Sequence, residues 1–302
     1  MRREFAKAIE DLAVKNEKII FLTGDLGFMA LESLREAIGD RFINTGVSEQ
    51  NMISMAASLA YEDLLPICYS IAPFIVFRPA EQIRIDVCLH DLNVKIIGNG
   101  GGFGYGIMGS THHAIEDLAV ISSFQNMRCY IPFCNEDVPG AVNKMLEQTG
   151  PSYLRLGYGN KPQNIETGAF SSVRKLLSGK NITIVGMGPV ILNALQALSG
   201  KEKKTADVFV VSEIPLFHLP EEVKQSLHRT KKLIVIEEHT KRGGLGENLA
   251  TLILEEQINC KFAHCYVKGY PNGLSGSQAY HQKINGLDML SLKAEIIKMI
   301  NL

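Results

Sequence analysis

The sequence has no long apolar run; none approaches the ~20 residues that a membrane span needs. Its N-terminus, MRREFAKAIEDLAVK, alternates charge at helical spacing and lacks the apolar centre of a secretory signal. It has no surplus of either charge. Thirty-one Lys and Arg stand against 32 Asp and Glu, interspersed, for a net charge of −1. That balance gives no electrostatic footprint for nucleic acid or an anionic membrane. Cysteine is scarce, and six residues (68, 88, 129, 134, 260 and 265) are too few for a disulfide scaffold. Two C-x₄-C pairs exist, Cys129/Cys134 and Cys260/Cys265, but zinc sites usually use closer pairs. Cys129 and Cys265 also alternate with apolar residues in expected strands. The six are expected to be buried, reduced thiols of a cytoplasmic protein.

What is present is an ordinary globular composition, 46% hydrophobic and 21% charged, in a chain of 302 residues. Single cores tend to stop growing at ~250–300 residues, so two domains are expected. Short apolar or β-branched runs recur as KIIFLTG (18–24), LLPICYS (64–70), NVKIIGN (93–99), MRCYIPF (127–133) and SYLRLG (152–157). Helical periods lie between them at 3–15, 48–61, 79–89, 114–123 and 136–148. Strands alternating with helices predict βαβ units and a parallel sheet covered on both faces. A polar passage runs from Tyr158 to about Gly168, and the pattern then restarts with NITIVGMG, ADVFVVSEI, KLIVIEEH and KFAHCYVKG. The chain reads as two doubly wound, mainly parallel α/β domains, at 1–160 and 170–302.

In such sheets ligands bind beyond the carboxyl ends of the strands. Three turns there draw notice. In FINTGVSEQNM (42–52) a carboxylate, Glu49, opens a helix otherwise made for the core. It could simply favour the helix dipole. A capping box on Ser48 would want Glu or Gln at position 51, which is Asn51, so that version fails. The loop GNGGGFGYGIMGSTHH (98–113) contains a G-x-G-x-x-G match at 104–109, but Asn99 to Phe103 separate it from the strand end, which weakens a dinucleotide reading. It is either a mobile surface loop or a backbone that lets a ligand approach and presents the imidazoles of His112 and His113. Phe74 and Phe77, three apart near the start of a helix, are either core or a clamp for a flat heterocycle. GGLG (243–246), lacking the Lys and Ser/Thr of a P-loop, reads as close strand–helix packing.

Six stretches together resemble the transketolase family of thiamine-diphosphate enzymes, and within it the separate C-terminal chain of a split transketolase. They are GDLG (24–27), GVSEQNM (46–52), FIVFRPAEQIR (74–84), STHHAIEDLAV (110–120), PSYLRLG (151–157) and IEEHTKRGGLGENLA (236–250). The resemblance implies a pyrimidine-binding domain followed by a transketolase C-terminal domain. It implies that Glu49 hydrogen-bonds a ring nitrogen of the cofactor's aminopyrimidine, which a carboxylate in a dry turn can do while sharing a proton. Phe74 and Phe77 match aromatics that pack on that ring. Asp25 matches an acidic residue lining the site near the thiazolium, and His112 a histidine that contacts the substrate's oxygens. The family's diphosphate-and-magnesium motif, G-D-G followed by a distant asparagine, is nowhere in the sequence. Thiamine diphosphate and Mg²⁺ are therefore expected to be held mainly by an N-terminal partner subunit, in a two-plus-two heterotetramer. The β subunit of a 2-oxo-acid dehydrogenase, a deoxyxylulose-phosphate-synthase-like enzyme and a non-catalytic binding protein are the competing readings. The STHHAIEDLA and IEEH-x₃-GGLG stretches favour transketolase or the synthase over the dehydrogenase, and Glu49, Phe74, Phe77 and His112 speak against the last.

The departures from the family concern the substrate. Arg2 matches the first of two arginines that fix a sugar phosphate. The position of the family's serine falls on Met29, of its histidine on Gly100 and of its second arginine on Tyr158. The aspartate that reads the sugar's C2 hydroxyl falls on Met108, and a third cofactor-pocket aromatic on Ala80. Each lost charge-assisted contact is worth ~1.5–3 kcal/mol. A two-carbon ketol transfer with at least one non-standard sugar, such as a nucleotide-linked one, is the expectation.

Overall fold

The computed structural model describes residues 1–27, 29–162, 165–199, 204–270 and 275–302. Part of the polar passage after Tyr158, Gln163 and Asn164, lies outside them. Among the described residues the chain forms twelve strands: β1 (Ile19–Thr23), β2 (Phe42–Asn44), β3 (Leu65–Ile71), β4 (Lys95–Asn99), β5 (Arg128–Tyr130), β6 (Ser152–Leu156), β7 (Val173–Leu177), β8 (Ile182–Met187), β9 (Ala206–Val211), β10 (Glu213–Ile214), β11 (Lys232–Thr240) and β12 (Lys261–Val267). One sheet has the order β10-β5-β6-β4-β3-β1-β2 and the other β12-β11-β8-β9-β7. The pairings are parallel except β10 on β5 and β7 on β9. Helices cover both faces, as continuous burial along β3, β4, β6, β8 and β9 requires. The α/β class read from the sequence is the one found. Among the described residues no helix is long and apolar enough to cross a membrane.

The two sheets share more than a linker. Leu22, Ile96 and Tyr153 of the first and Val185, Phe209 and Val235 of the second belong to one apolar cluster. Each such aliphatic side chain, fully buried, contributes roughly 1.5–3 kcal/mol. After β9 the chain crosses back, and β10 pairs antiparallel with β5 at Glu213↔Tyr130 and Ile214↔Cys129. The Ile131 N–H adds a bond to Ser212 O at 2.8 Å. Polar ties reinforce the junction. Arg174 donates to both oxygens of Asp137 at 2.7 and 2.6 Å. Arg155 reaches Asp117 and the Glu238 carbonyl together. This returning strand was not legible in the sequence, because two residues carry no periodicity.

Several boundaries differ from expectation for local reasons. The helix expected at 114–123 forms only at Asp117–Ile121. Ala114 instead bridges Gly102, and its carbonyl accepts from Arg155 at 2.6 Å. The helix expected at 79–89 starts at Ala80–Gln82 and widens into a π-turn at Ile83–Cys88. Cys68, Cys88, Cys129 and Cys134 are buried free thiols, but Cys260 and Cys265 are only half-buried. They lie before and on β12, an edge strand with one open side.

Candidate active site

The carboxyl ends of β1, β3, β4 and β6 gather the turns that carry the candidate residues. After β2 the chain turns through Thr45 and Gly46, whose φ of +73° suits glycine. Ser48 spends its hydroxyl on Thr45 O at 2.7 Å, so it does not cap the following helix, Glu49–Tyr61. Glu49 is the first residue of that helix and is 1% exposed. Both of its carboxylate oxygens are taken by side chains outside that helix. The Ser70 hydroxyl, near the end of β3, donates to Oε1 at 3.0 Å, and Arg78 donates to Oε2 at 2.7 Å. A buried carboxylate with a guanidinium partner serves more than a helix dipole.

Arg78 lies within FIVFRPAEQIR, although sequence reasoning did not single it out as a site residue. It follows Phe74 by one helical turn, so both project to one side. Its guanidinium carbon lies 4.1 Å from the Phe74 ring centroid, a cation–π distance. A flat, N–H-bearing group thus stacks on Phe74 while donating to Glu49. An aminopyrimidine would make the same two contacts, so the residues present fit that ring at the place the guanidinium now takes. Phe77, 39% exposed, stands at the rim of the turn. The His112 ring meets Phe74 edge-on at 5.1 Å, and Thr111 Oγ1 lies 3.0 Å from His112 Nδ1. Glu49, Phe74 and His112 are therefore assembled through Arg78 and Phe74. Ala80 begins the next short helix and adds no ring.

Asp25 sits in the left-handed region at φ +57°, which aspartate tolerates. Asn44, the last residue of β2, holds it from both sides. The Asn44 amide donates to Asp25 Oδ1 at 3.0 Å, and Asn44 Oδ1 accepts from the Asp25 and Gly46 N–H groups at 3.0 Å each. Asp25 lines a cavity of about 220 Å³ with Arg2, Tyr69, Asn99 and Tyr105. Met108 and Tyr158 are 55% and 45% exposed, and Met29 is 73% exposed. Among the described residues no group of His, Cys, Asp and Glu side chains converges to hold a metal ion.

The Gly-rich loop is neither mobile surface nor an open cradle. What approaches its glycines is protein. A Cβ at Gly102 would lie 2.3 Å from Glu238 Oε1, and one at Gly101 would lie 2.6 Å from the Arg155 side chain. Glu238 accepts from the Phe103 N–H at 2.7 Å and from Gln278 at 3.0 Å, while burial raises its pKa. His113 is not presented to a ligand. It is buried against Phe103 and His281, its Nε2 contacts Gly106 O at 3.3 Å, and burial holds its imidazole below the usual range. GGLG behaves as expected of a packing turn. Gly244 leaves room for Glu237, which takes the Leu245 and Gly246 N–H groups at 2.8 and 2.9 Å.

Comparison with known proteins fits this arrangement. Residues 1–163 match the family model "Transketolase, pyrimidine binding domain", and residues 171–287 match "Transketolase, C-terminal domain". The chain belongs to the transketolase family, whose enzymes depend on thiamine diphosphate. It is 30% identical over 264 residues to a subunit of the apulose-4-phosphate transketolase of Phocaeicola vulgatus, covering 85% of this chain and 84% of that one. It is 29% identical over 272 residues to "6-deoxy-6-sulfo-D-fructose transketolase subunit SqwH" of a Clostridium species, covering 86% and 81%. A solved structure, "Split gene transketolase, inactive beta4 tetramer", superposes with a TM-score of 0.84 at 29% identity, over 100% of this chain and 98% of that one.

Proposed function

We propose that this chain is the C-terminal subunit of a two-chain, thiamine-diphosphate-dependent transketolase, with domains at 1–160 and 170–302. The donor ketose gives up its two-carbon ketol unit and leaves as an aldose two carbons shorter, and an acceptor aldose gains the unit. The observation that carries this reading is the buried Glu49 carboxylate beside a stackable Phe74 face, both now occupied by the Arg78 guanidinium. Thiamine diphosphate, when bound, supplies a carbon nucleophile and an electron sink. Glu49 holds and returns a proton at a nitrogen of the aminopyrimidine, and Ser70 fixes its orientation. Phe74 and Phe77 position that ring and exclude water from it. Asp25, set by Asn44, borders the thiazolium, and His112 donates to the oxygens of the substrate. Arg2, Met108 and Tyr158 border the sugar.

This reading assigns the diphosphate and Mg²⁺ to an N-terminal transketolase-like partner, in a two-plus-two assembly working in the cytoplasm. The relatives named as subunits, one of an apulose-4-phosphate transketolase and one of a 6-deoxy-6-sulfo-D-fructose transketolase, support a partner and a non-standard substrate. The test mixes the purified chain with an N-terminal transketolase-like chain of roughly 270–300 residues. Thiamine diphosphate binding and ketol transfer are expected on mixing, with weak binding and no turnover by this chain alone. Robust turnover by the isolated chain, or 2-oxo-acid decarboxylation coupled to acyl transfer by the pair, overturns the reading.

A further inference from the structure

The ketol-transfer reading puts His112 at the substrate's oxygens, on a loop (98–113) whose glycines give it little stiffness of its own. The hold of the protein on that loop converges on one atom, the carbonyl oxygen of Gly106. Four N–H groups point at it: that of Gly109 at 3.2 Å, and those of Gly276, His113 Nε2 and His281 Nε2 at 3.3 Å each. Gly276 and His281 come from the second domain, His281 from the helix Gln278–Asn285. A Cβ on Gly106 would lie 2.6 Å from Gly276 O and 2.8 Å from His281 Cδ2, so only glycine admits this approach.

The two imidazoles are committed to that carbonyl. A carbonyl only accepts, so each ring carries its hydrogen on Nε2. His113 and His281 are 1% and 0% exposed, and among the described residues the Nδ1 of each has no partner. Packing alone would be served by phenylalanine without burying a half-satisfied polar ring. The rings are close-packed as well. His281 stacks on Phe103 with centroids 4.7 Å apart, and His113 meets Phe103 and His281 edge-on at 5.0 and 4.8 Å. The helix that carries His281 is tied to the same loop, because Gln278 and Gln282 donate at 3.0 and 2.5 Å to Glu238, which takes the Phe103 N–H.

From Gly106 the chain makes two short 3₁₀ turns, Gly106–Met108 and Ser110–His112, and closes on itself. The bond of His113 to Gly106 O joins the two ends of this segment, and the Gly102–Ala114 bridge joins them again just outside it. His112 stands at one end of the closed segment, with its ring against Phe74 at 5.1 Å. Any displacement of Gly106 reaches His112 by this short path. We propose that His281 is a positioning residue for His112: with His113 it clasps the Gly106 carbonyl, and through the closed loop it sets the place of the His112 ring.

The inference rests on the ketol-transfer reading, and the test separates the two. The chain assembled with its N-terminal partner is assayed with hydroxypyruvate, a donor that delivers the same two-carbon unit with loss of carbon dioxide. His281→Phe keeps the stacked ring and removes the Nε2–H, whereas His281→Gln offers an amide N–H at similar reach. His281→Phe is expected to lower kcat/KM about tenfold, and His281→Gln to restore most of the loss. The deciding comparison is a double-mutant cycle with His112→Ala. If the clasp acts through His112, His281→Phe costs less than about twofold once that ring is gone, whereas a merely structural loss would be about tenfold in both backgrounds. His113→Phe removes the other donor and runs through the same cycle, which settles the question if His281→Phe does not fold. In the chain alone, labelled at histidine and phenylalanine, the nuclear Overhauser contact between the His112 and Phe74 rings is expected to weaken in the Phe variants. Independent losses in the cycle, an undiminished ring contact, or full activity in both Phe variants overturns the inference and leaves ketol transfer intact. No turnover by the wild-type pair overturns the ketol-transfer reading and this inference with it.

Discussion

Replacing Glu49 by glutamine separates the proposed proton handling from architecture, because the two bonds its carboxylate accepts use different oxygens. Oε1 accepts from Ser70 at 3.0 Å, and a glutamine amide oxygen keeps that bond. Oε2 accepts from Arg78 at 2.7 Å, and an amide nitrogen, itself a donor, does not replace it. A hydrogen bond to a charged group contributes about 1.5–3 kcal/mol. The Arg78 side chain is 39% exposed, so water takes over its N–H groups and the net loss falls to about 1 kcal/mol. For a chain of this size that lowers the melting temperature by about 2 °C. Turnover behaves differently, since the amide cannot exchange a proton with a ring nitrogen, and a fall of ~10²–10⁴-fold is expected. Thermal melts of the chain and hydroxypyruvate turnover by the assembled pair measure the two effects side by side. Activity within about tenfold of wild type would refute the proton role. A melting drop beyond ~10 °C would show that the carboxylate is mainly structural.

Two other perturbations probe the junction between the sheets. Arg155→Met strands Asp117, which is 0% exposed and then keeps only the Tyr153 hydroxyl among the described side chains, and should destabilise by roughly 3–5 kcal/mol in denaturant titrations. The double change with Asp117→Asn should recover part of that loss; no recovery refutes the stranded-charge argument. His113 has a lowered pKa, through burial first and then the nearby His281 and His112, opposed by its bond to Gly106 O. The unfolded chain therefore takes up the proton first as pH falls below about 6.5, so this contribution to stability is complete above that pH and is lost as pH falls. His113→Phe should flatten the decline in melting temperature between pH 7.5 and 5.5, and equal slopes would exclude His113 as its source.

The fold was legible wherever burial on both faces wrote a continuous apolar run, as in Ile19–Thr23, Leu65–Ile71 and Ile182–Met187. It was not legible in Phe42–Asn44, half-exposed and three residues long, or in Val173–Leu177, an antiparallel edge strand carrying Arg174 and Lys175. The site divided in the same way. Glu49, Phe74, Phe77, Asp25 and His112 were singled out as candidates because they sit in stretches with recognisable neighbours. Ser70 and Asn44 were missed because their partners, Glu49 and Asp25, are distant in sequence and meet only through the sheet. Arg78 carried a usable signal in its one-turn spacing from Phe74.

The crossing strand β10 bears on how this protein can be cut. Residues 213–214 close the outer edge of β5 from a segment that lies well beyond the first family match. A fragment ending near residue 163 would contain every candidate catalytic side chain and yet expose the β5 edge, Cys129 and Tyr130 included, as a template for another strand. It would also leave Asp137 without Arg174 and Asp117 facing an Arg155 no longer covered by Glu238. The second domain is thus part of the envelope that lets the first exist as a folded body. The junction between the two family matches, at residues 163–171, is for that reason a poor place to divide the polypeptide.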